Sequence, residues 1–287
     1  MKRDNEDRWL YEIKPSTKLL SLNLKEVWSY KDLLFLFVKR DVITVYKQTI
    51  LGPLWYIIQP LFTSVIFTLV FNNIANIATD PVPSFLFNLA GITAWNYFKD
   101  CLVQTSDTFR KNQAIFGKVY FPRVIMPMST VVSGLLKFGI QMLMFIIFYA
   151  IYAFNGMQVN IGLSVLYLPF LVLFMAMFGL GIGMLISSMV TKYRDLTFLV
   201  SFGVQLLMYL SAVVYPLELV KTKLPAYSWI VEYNPLTTII ESFRRIILGT
   251  GDVLFVDMLK IFALALITLL FGMVVFNKTE KSFIDTV

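Results

Sequence analysis

Six stretches of mostly apolar residues recur between positions 51 and 276, parted by polar or mixed segments. A helix crossing the hydrocarbon core needs about 20 such residues. The segments 53–72, 85–107, 128–154, 162–190, 196–216 and 253–276 reach that length. The predicted fold class is therefore an all-α polytopic membrane protein with six transmembrane helices. Gly52 and Pro53 open the first span well, because a proline in the first turn loses no helical hydrogen bond, whereas Pro60 within it predicts a bend. In the fourth span, Gly179, Gly181, Gly183, Ser187 and Ser188 let helix backbones approach closely, with a hinge as the alternative.

Three further segments look helical without spanning. Lys25, Asp32 and Lys39 recur every seven residues, Arg40 and Lys47 repeat that step, and Leu33, Leu34, Leu36, Phe37, Ile43 and Tyr46 fill much of the remainder. This pattern predicts an amphipathic helix along the cytoplasmic membrane face, either a passive anchor or a docking element. The loop from Arg110 to Arg123 is basic yet apolar, with Ile115, Phe116, Val119, Tyr120 and Phe121 ahead of Pro122. Asn112 is placed to cap a brief helix that Gly117 ends. Exposed apolar groups there call for a lipid or a protein partner. In the segment 217–251, Asn234 and Pro235 start a helix carrying Leu236, Ile239, Ile240, Phe243, Ile246 and Ile247, and Gly249 stops it. Too short to span, and charged through Glu241, Arg244 and Arg245, this helix fits a re-entrant element in the outer leaflet.

Charge supplies the direction. Ten Lys and Arg lie in residues 1–50, four in 109–127, two in 191–195 and two in 277–287, whereas 72–84 and 155–161 hold none and 217–251 holds four. Positive residues stay inside, so both termini are expected in the cytoplasm. Residues 1–50 then form a cytoplasmic segment with the interface helix, and 51–287 form the membrane domain. The charged start, Met1 to Arg8, leads into no apolar signal core and reads as retained cytoplasmic sequence. With 57% hydrophobic and 15% charged side chains, a water-soluble globule is excluded. The net charge of +7 points to anionic lipid headgroups and not to nucleic acid. Cys101 is the single cysteine and histidine is absent, so neither an intrachain disulfide nor a Cys/His metal site is expected.

Lys99, Asp100 and Lys137 fall inside predicted spans, where a charge facing lipid costs about 3 kcal/mol. They should face protein or water, or snorkel from a membrane end. Gln104, Thr105, Ser106 and Asp107 extend a polar second half of the second span. Asp100 and Asp107, seven apart, share roughly one helical face, an arrangement that could hold magnesium in an intramembrane transferase acting on a polyprenyl-linked substrate. No denser acidic cluster accompanies them, which leaves acid–base chemistry thin. A phosphate-binding loop of the G-x-x-x-x-G-K-[ST] type is also missing, so ATP could be used only through another chain.

Three blocks carry a family resemblance: RDVITVYKQTILGPLWYIIQPL from Arg40 to Leu61, KVYFPRVIMPMS from Lys118 to Ser129, and YNPLTTIIESFRRIILG from Tyr233 to Gly249. In this order, around six spans, the chain resembles the permease subunit of ABC exporters for polysaccharides and polyol phosphates, of the O-antigen and teichoic-acid type. The resemblance implies a homodimer in the bacterial inner (cytoplasmic) membrane, paired with two ATPase subunits that hold the ATP and magnesium, and exporting a lipid-linked glycan. It implies no catalytic residue and no cofactor on this chain. Carried onto these residues, it makes the loop 110–123 a coupling element, with Asn112, Ile115, Phe116, Lys118 and Tyr120 meeting the ATPase. The segment 217–251 becomes part of the outer gate, through Tyr233, Asn234, Pro235, Glu241, Arg244 and Arg245.

A glycan path needs hydroxyl partners and flat aromatic faces that stack on sugar rings. Trp55, Tyr56, Trp95, Tyr97, Phe98, Tyr209 and Tyr215, with Lys99 and Asp100, are the candidate channel residues. For each aromatic, an interfacial belt or core packing is the alternative. A related permease carrying a drug, lipid or peptide shares the same architecture and remains the second reading.

Overall fold

Why α4, running Ser84–Ser106, buries most of its residues explains the rest of the arrangement. Its polar groups would be costly against lipid, so other helices surround it. The computed structural model describes residues 24–47, 50–79, 81–116, 118, 119, 121–158, 162–193, 195–251 and 253–284. Among these, the regular structure is entirely helical. The charged N-terminus, Gly117 and Tyr120 lie outside the described residues.

The predicted interface helix is broken in two, α1 (Leu24–Ser29) and α2 (Lys31–Lys47), with Tyr30 between them. On these helices Trp28, Phe35 and Leu36 are exposed, whereas Phe37 is buried. The first apolar helix begins with a tight turn at Gly52–Leu54 and continues as α3 (Trp55–Phe67) through Pro60. It then widens into a π-helical stretch, Thr68–Ile74. The Asn88 amide of α4 fastens that stretch by donating to Thr68 Oγ1 at 3.0 Å and Asn72 Oδ1 at 2.9 Å.

α4 is followed by α5 (Thr108–Phe116), α6 (Ile125–Phe154), α7 (Leu168–Lys192) and α8 (Leu196–Leu210). Three short helices come next, α9 (Leu217–Lys223), α10 (Ser228–Glu232) and α11 (Pro235–Leu248), before α12 (Phe255–Ile284). α7 lies between α4 and α12, and α6 packs against both α4 and α2.

Glycine explains the close approach at the centre. A Cβ on Gly179 would stand 2.8 Å from the Cβ of Cys101, and one on Gly183 would stand 2.6 Å from that of Thr105, both on α4. Gly181 faces the other way, where a Cβ would meet the Thr268 backbone of α12 at 2.6 Å. The small residues of the fourth apolar segment thus serve packing on two sides.

Among the described residues, four helical stretches are long and apolar enough to cross a membrane: Gly52–Ile74, Ile125–Phe154, Leu163–Lys192 and Phe255–Glu280. α4 has 23 residues but carries Asn88, Asn96, Lys99, Asp100 and Gln104. α8 is apolar but stops after 15 residues, about 22 Å at 1.5 Å per residue, short of the expected 196–216. Its end is a built feature, with Ala212 in the left-handed region at φ 49°.

Candidate functional site

Where α8 stops, its last carbonyls and those just beyond need donors, because water is scarce at a buried helix end. They receive them from α11. Arg244 donates through Nη1 to Ala212 O at 2.8 Å and through Nη2 to Val213 O. Asn234 donates through Nδ2 to Leu210 O at 3.0 Å and Ser211 Oγ at 3.1 Å, while its Oδ1 accepts from Leu236 N–H at 3.0 Å. Asn234 is therefore both the N-cap of α11 and a clasp on α8. Gly249, at φ 66°, ends α11 in the left-handed conformation as its sequence position predicts.

Arg244 is 2% exposed, pairs with Glu241 Oε1 at 3.1 Å, and lies over the Phe87 ring of α4 at 3.7 Å. Gly91 makes room for it, since a Cβ there would collide with the guanidinium and with Val213 O. The expected gate residues thus divide. Asn234, Glu241 and Arg244 turn inward to hold α11 on α8, with Pro235 in the first turn, while Tyr233 and Arg245 stay exposed.

At the opposite end of α4 the helix breaks at Asp107 and resumes as α5. Asp107 accepts from Arg110 Nη2 at 2.9 Å and Nε at 3.1 Å, and lies 3.5 Å from Lys111 Nζ. Asn112 does not cap this helix. It lies one turn inside, donating through Nδ2 to Thr108 O at 2.9 Å, because α5 begins directly after the Asp107 break.

The apolar residues of this loop also point differently from expectation. Phe116 and Phe121 are buried, and Ile115 packs against the core. The outward face is polar and basic: Arg110, Lys111, Gln113 and Lys118 are exposed, and among the expected loop apolars only Val119, 59% exposed, faces out within the described residues.

Between α2, α3, α4 and α6 lies a cavity of about 620 Å³, lined by Arg40, Asp41, Tyr56, Asp100, Gln104 and Lys137 among others. Lys137 donates to Asp100 Oδ2 at 2.7 Å across α6 and α4, with its ammonium 5.4 Å from the Tyr56 ring centre. Arg40 is paired with Asp41 at 2.8 Å, and Lys99 donates to Asn96 Oδ1 at 3.2 Å. Asp100 and Asp107 are thus each matched by their own cations. No group of three metal-ligating side chains occurs among the described residues.

The aromatic channel candidates do not come together. Trp95, Tyr97 and Phe98 are 3% exposed or less and form packed core, with Tyr97 against Phe138 and Phe98 stacked on Phe178. Their positions follow from α4 being central. Trp55 and Tyr209 are exposed, while Tyr215 is half-buried and donates to Tyr209 O at 2.5 Å.

Sequence reasoning missed Gly91, Phe109, Arg123, Phe276 and Glu280 as structural partners of these sites, and gave Asp107 and Phe121 other roles. Arg123 registered only as a positive charge, and its acceptor, Glu280, lies 157 residues away.

Comparison with known proteins gives one consistent result. The ABC-2 type transporter family matches residues 32–248. Two O-antigen export system permease proteins, both called RfbA and both from Klebsiella pneumoniae, are 29% and 27% identical over 270 and 269 residues, each 93% of this chain and 99% of the relative. A third, from Myxococcus xanthus, is 25% identical over 223 residues, 78% of this chain and 83% of the relative.

Proposed function

The chain belongs to the ABC-2 type transporter family, a family of transport subunits and not of enzymes, and from that membership we propose that it is the membrane subunit of a polysaccharide exporter. The observation that carries this reading is similarity to O-antigen export permeases along nearly the whole chain. The cargo is a lipid-linked glycan, and the energy comes from two copies of a separate ATPase that hold ATP and magnesium. α4 and α8 complete six spans, with both termini in the cytoplasm of a bacterial cell and the protein in its inner membrane.

α5 is the coupling helix. Its outward basic face, with Arg110 and Lys111 on the helix and Lys118 beyond its end, suits an ATPase cleft that presents carboxylates, with Val119 as the apolar contact. The buried Phe116 anchors it to the bundle instead of touching the partner. α9 to α11 form the outer gate.

A glycan groove cannot pass through one protomer whose centre is filled by α4 and α7. It forms between two copies, and this favours a homodimer. Exposed Trp55 and Phe62 on α3 and Tyr209 near the end of α8 are suitable wall residues. The cavity with its Asp100–Lys137 pair supplies a polar surface beside α3.

Co-expression with the ATPase encoded beside the gene, followed by reconstitution into vesicles, tests the reading. A stable complex with ATP-dependent movement of a lipid-linked glycan is expected. No complex, or movement without ATP, overturns it.

A further inference from the structure

The cytoplasmic end of the last helix is joined to α5 by a continuous aromatic and ionic seam. Phe276 of α12 stacks on Phe109 of α5, with ring centres 4.5 Å apart and planes at 25°. Both rings are fully buried. From Phe109 the contacts run to Phe116 at 5.9 Å, to Phe121 at 5.9 Å and to Phe37 of α2 at 5.8 Å. Arg123 closes the seam. Its guanidinium lies 5.1 Å from the Phe116 ring centre, donates through Nη1 to Glu280 O at 3.0 Å, and stands 3.7 Å from Glu280 Oε1. A buried guanidinium near a helix C-terminus satisfies a terminal carbonyl and favours the negative end of the dipole.

α12 is in turn bonded by close packing to α7 through Gly181 and Gly272. A packed aromatic cluster transmits displacement because its interior is close to incompressible. Movement of α5 therefore reaches α12 through the Phe109–Phe276 stack, while α7 packs against both α5 and α12, and α11 packs against α12.

We propose that Phe276 and Glu280, with Arg123, are positioning residues for the coupling of ATP hydrolysis to export. They clamp α5 to the last helix, so that the push delivered at the cytoplasmic face is applied to α12 and not dissipated in the loop. This proposal rests on the reading of α5 as the coupling helix.

Two measurements test it on the full chain. In the permease alone, Phe276→Leu and Arg123→Gln should speed amide hydrogen exchange across 108–116 by about tenfold while exchange in α7 stays unchanged. Unaltered exchange in α5 overturns the clamp whatever the partner does. In vesicles with the ATPase, both variants should assemble and hydrolyse ATP at near the unmodified rate, while glycan exported per ATP falls about tenfold. The exchange pair Arg123→Glu with Glu280→Arg should recover more export per ATP than Arg123→Glu alone. An unmodified export ratio in the folded single variants overturns the positioning role. Failure of the parent reading shows separately, as an unmodified chain that neither assembles with the ATPase nor exports.

Discussion

Arg244 resolves a conflict that the sequence poses at single-residue scale, a cation placed among Phe243, Ile246 and Ile247. Its two terminal nitrogens satisfy carbonyls of Ala212 and Val213, and Glu241 balances its charge. Removing one member of a buried charged network costs about 3 to 5 kcal/mol, because the partners are left unmatched. Arg244→Ala should therefore lower thermal stability in detergent by that order, and Arg244→Lys should recover little, since an ammonium cannot present the planar fork. Loss below 1 kcal/mol would mean the carbonyls find water. The Asp100–Lys137 pair makes a different prediction. Asp100→Asn and Lys137→Met should each destabilise more than the double variant, with a coupling energy of about 1 to 3 kcal/mol in a double-mutant cycle. Additive losses would show that each charge is solvated by the cavity instead.

At the scale of the helix, sequence spacing reveals caps well and partners poorly. The Asn234–Pro235 start and Gly249 stop of α11 were legible because capping is local chemistry within a few residues. The small residues of α7 were legible as a packing surface, although which helix each faces depends on tertiary arrangement. Asn112 misled because the sequence does not show that α4 breaks at Asp107 and that the next helix starts one turn earlier. Phe116 and Phe121 misled for a related reason: apolar residues on a connector call for cover, and the cover is intramolecular, from Phe37, Phe109 and Arg123. Trp95, Tyr97 and Phe98 carry the same composition signal whether they line a groove or fill a core, and only the central place of α4 decides between these. The helix seams make a direct test. Gly181→Leu and Gly272→Leu should each cost at least about 1 to 3 kcal/mol by forcing α7 from α12. Gly139→Ala and Gly203→Ala, where a Cβ meets nothing within 4 Å, should lose nothing and gain about 0.5 to 1 kcal/mol from the better helix former. Similar losses at all four positions would remove the close-packing account.

For the whole molecule, the filled centre bears on the proposed route between two copies. Among the described residues the aromatics of α4 are packed away, whereas Trp55 and Phe62 on α3 and Tyr209 near the end of α8 are exposed and are the wall residues of the proposed groove. In a Cys101→Ala background, cysteines replacing Trp55 or Tyr209 should react with a water-soluble maleimide in the assembled transporter, whereas cysteines at Tyr97 and Phe98 should stay protected. Equal labelling at the four positions would place water within the protomer core and refute the groove between copies.

The bond from Arg244 to the end of α8 also bears on how the protein is made. Its acceptors, Ala212 and Val213, leave the ribosome 32 and 31 residues before the arginine does. Until α11 arrives, Ala212 O and Val213 O lack the guanidinium from which they accept in the folded protein. The end of α8 is thus made before the side chain that closes it.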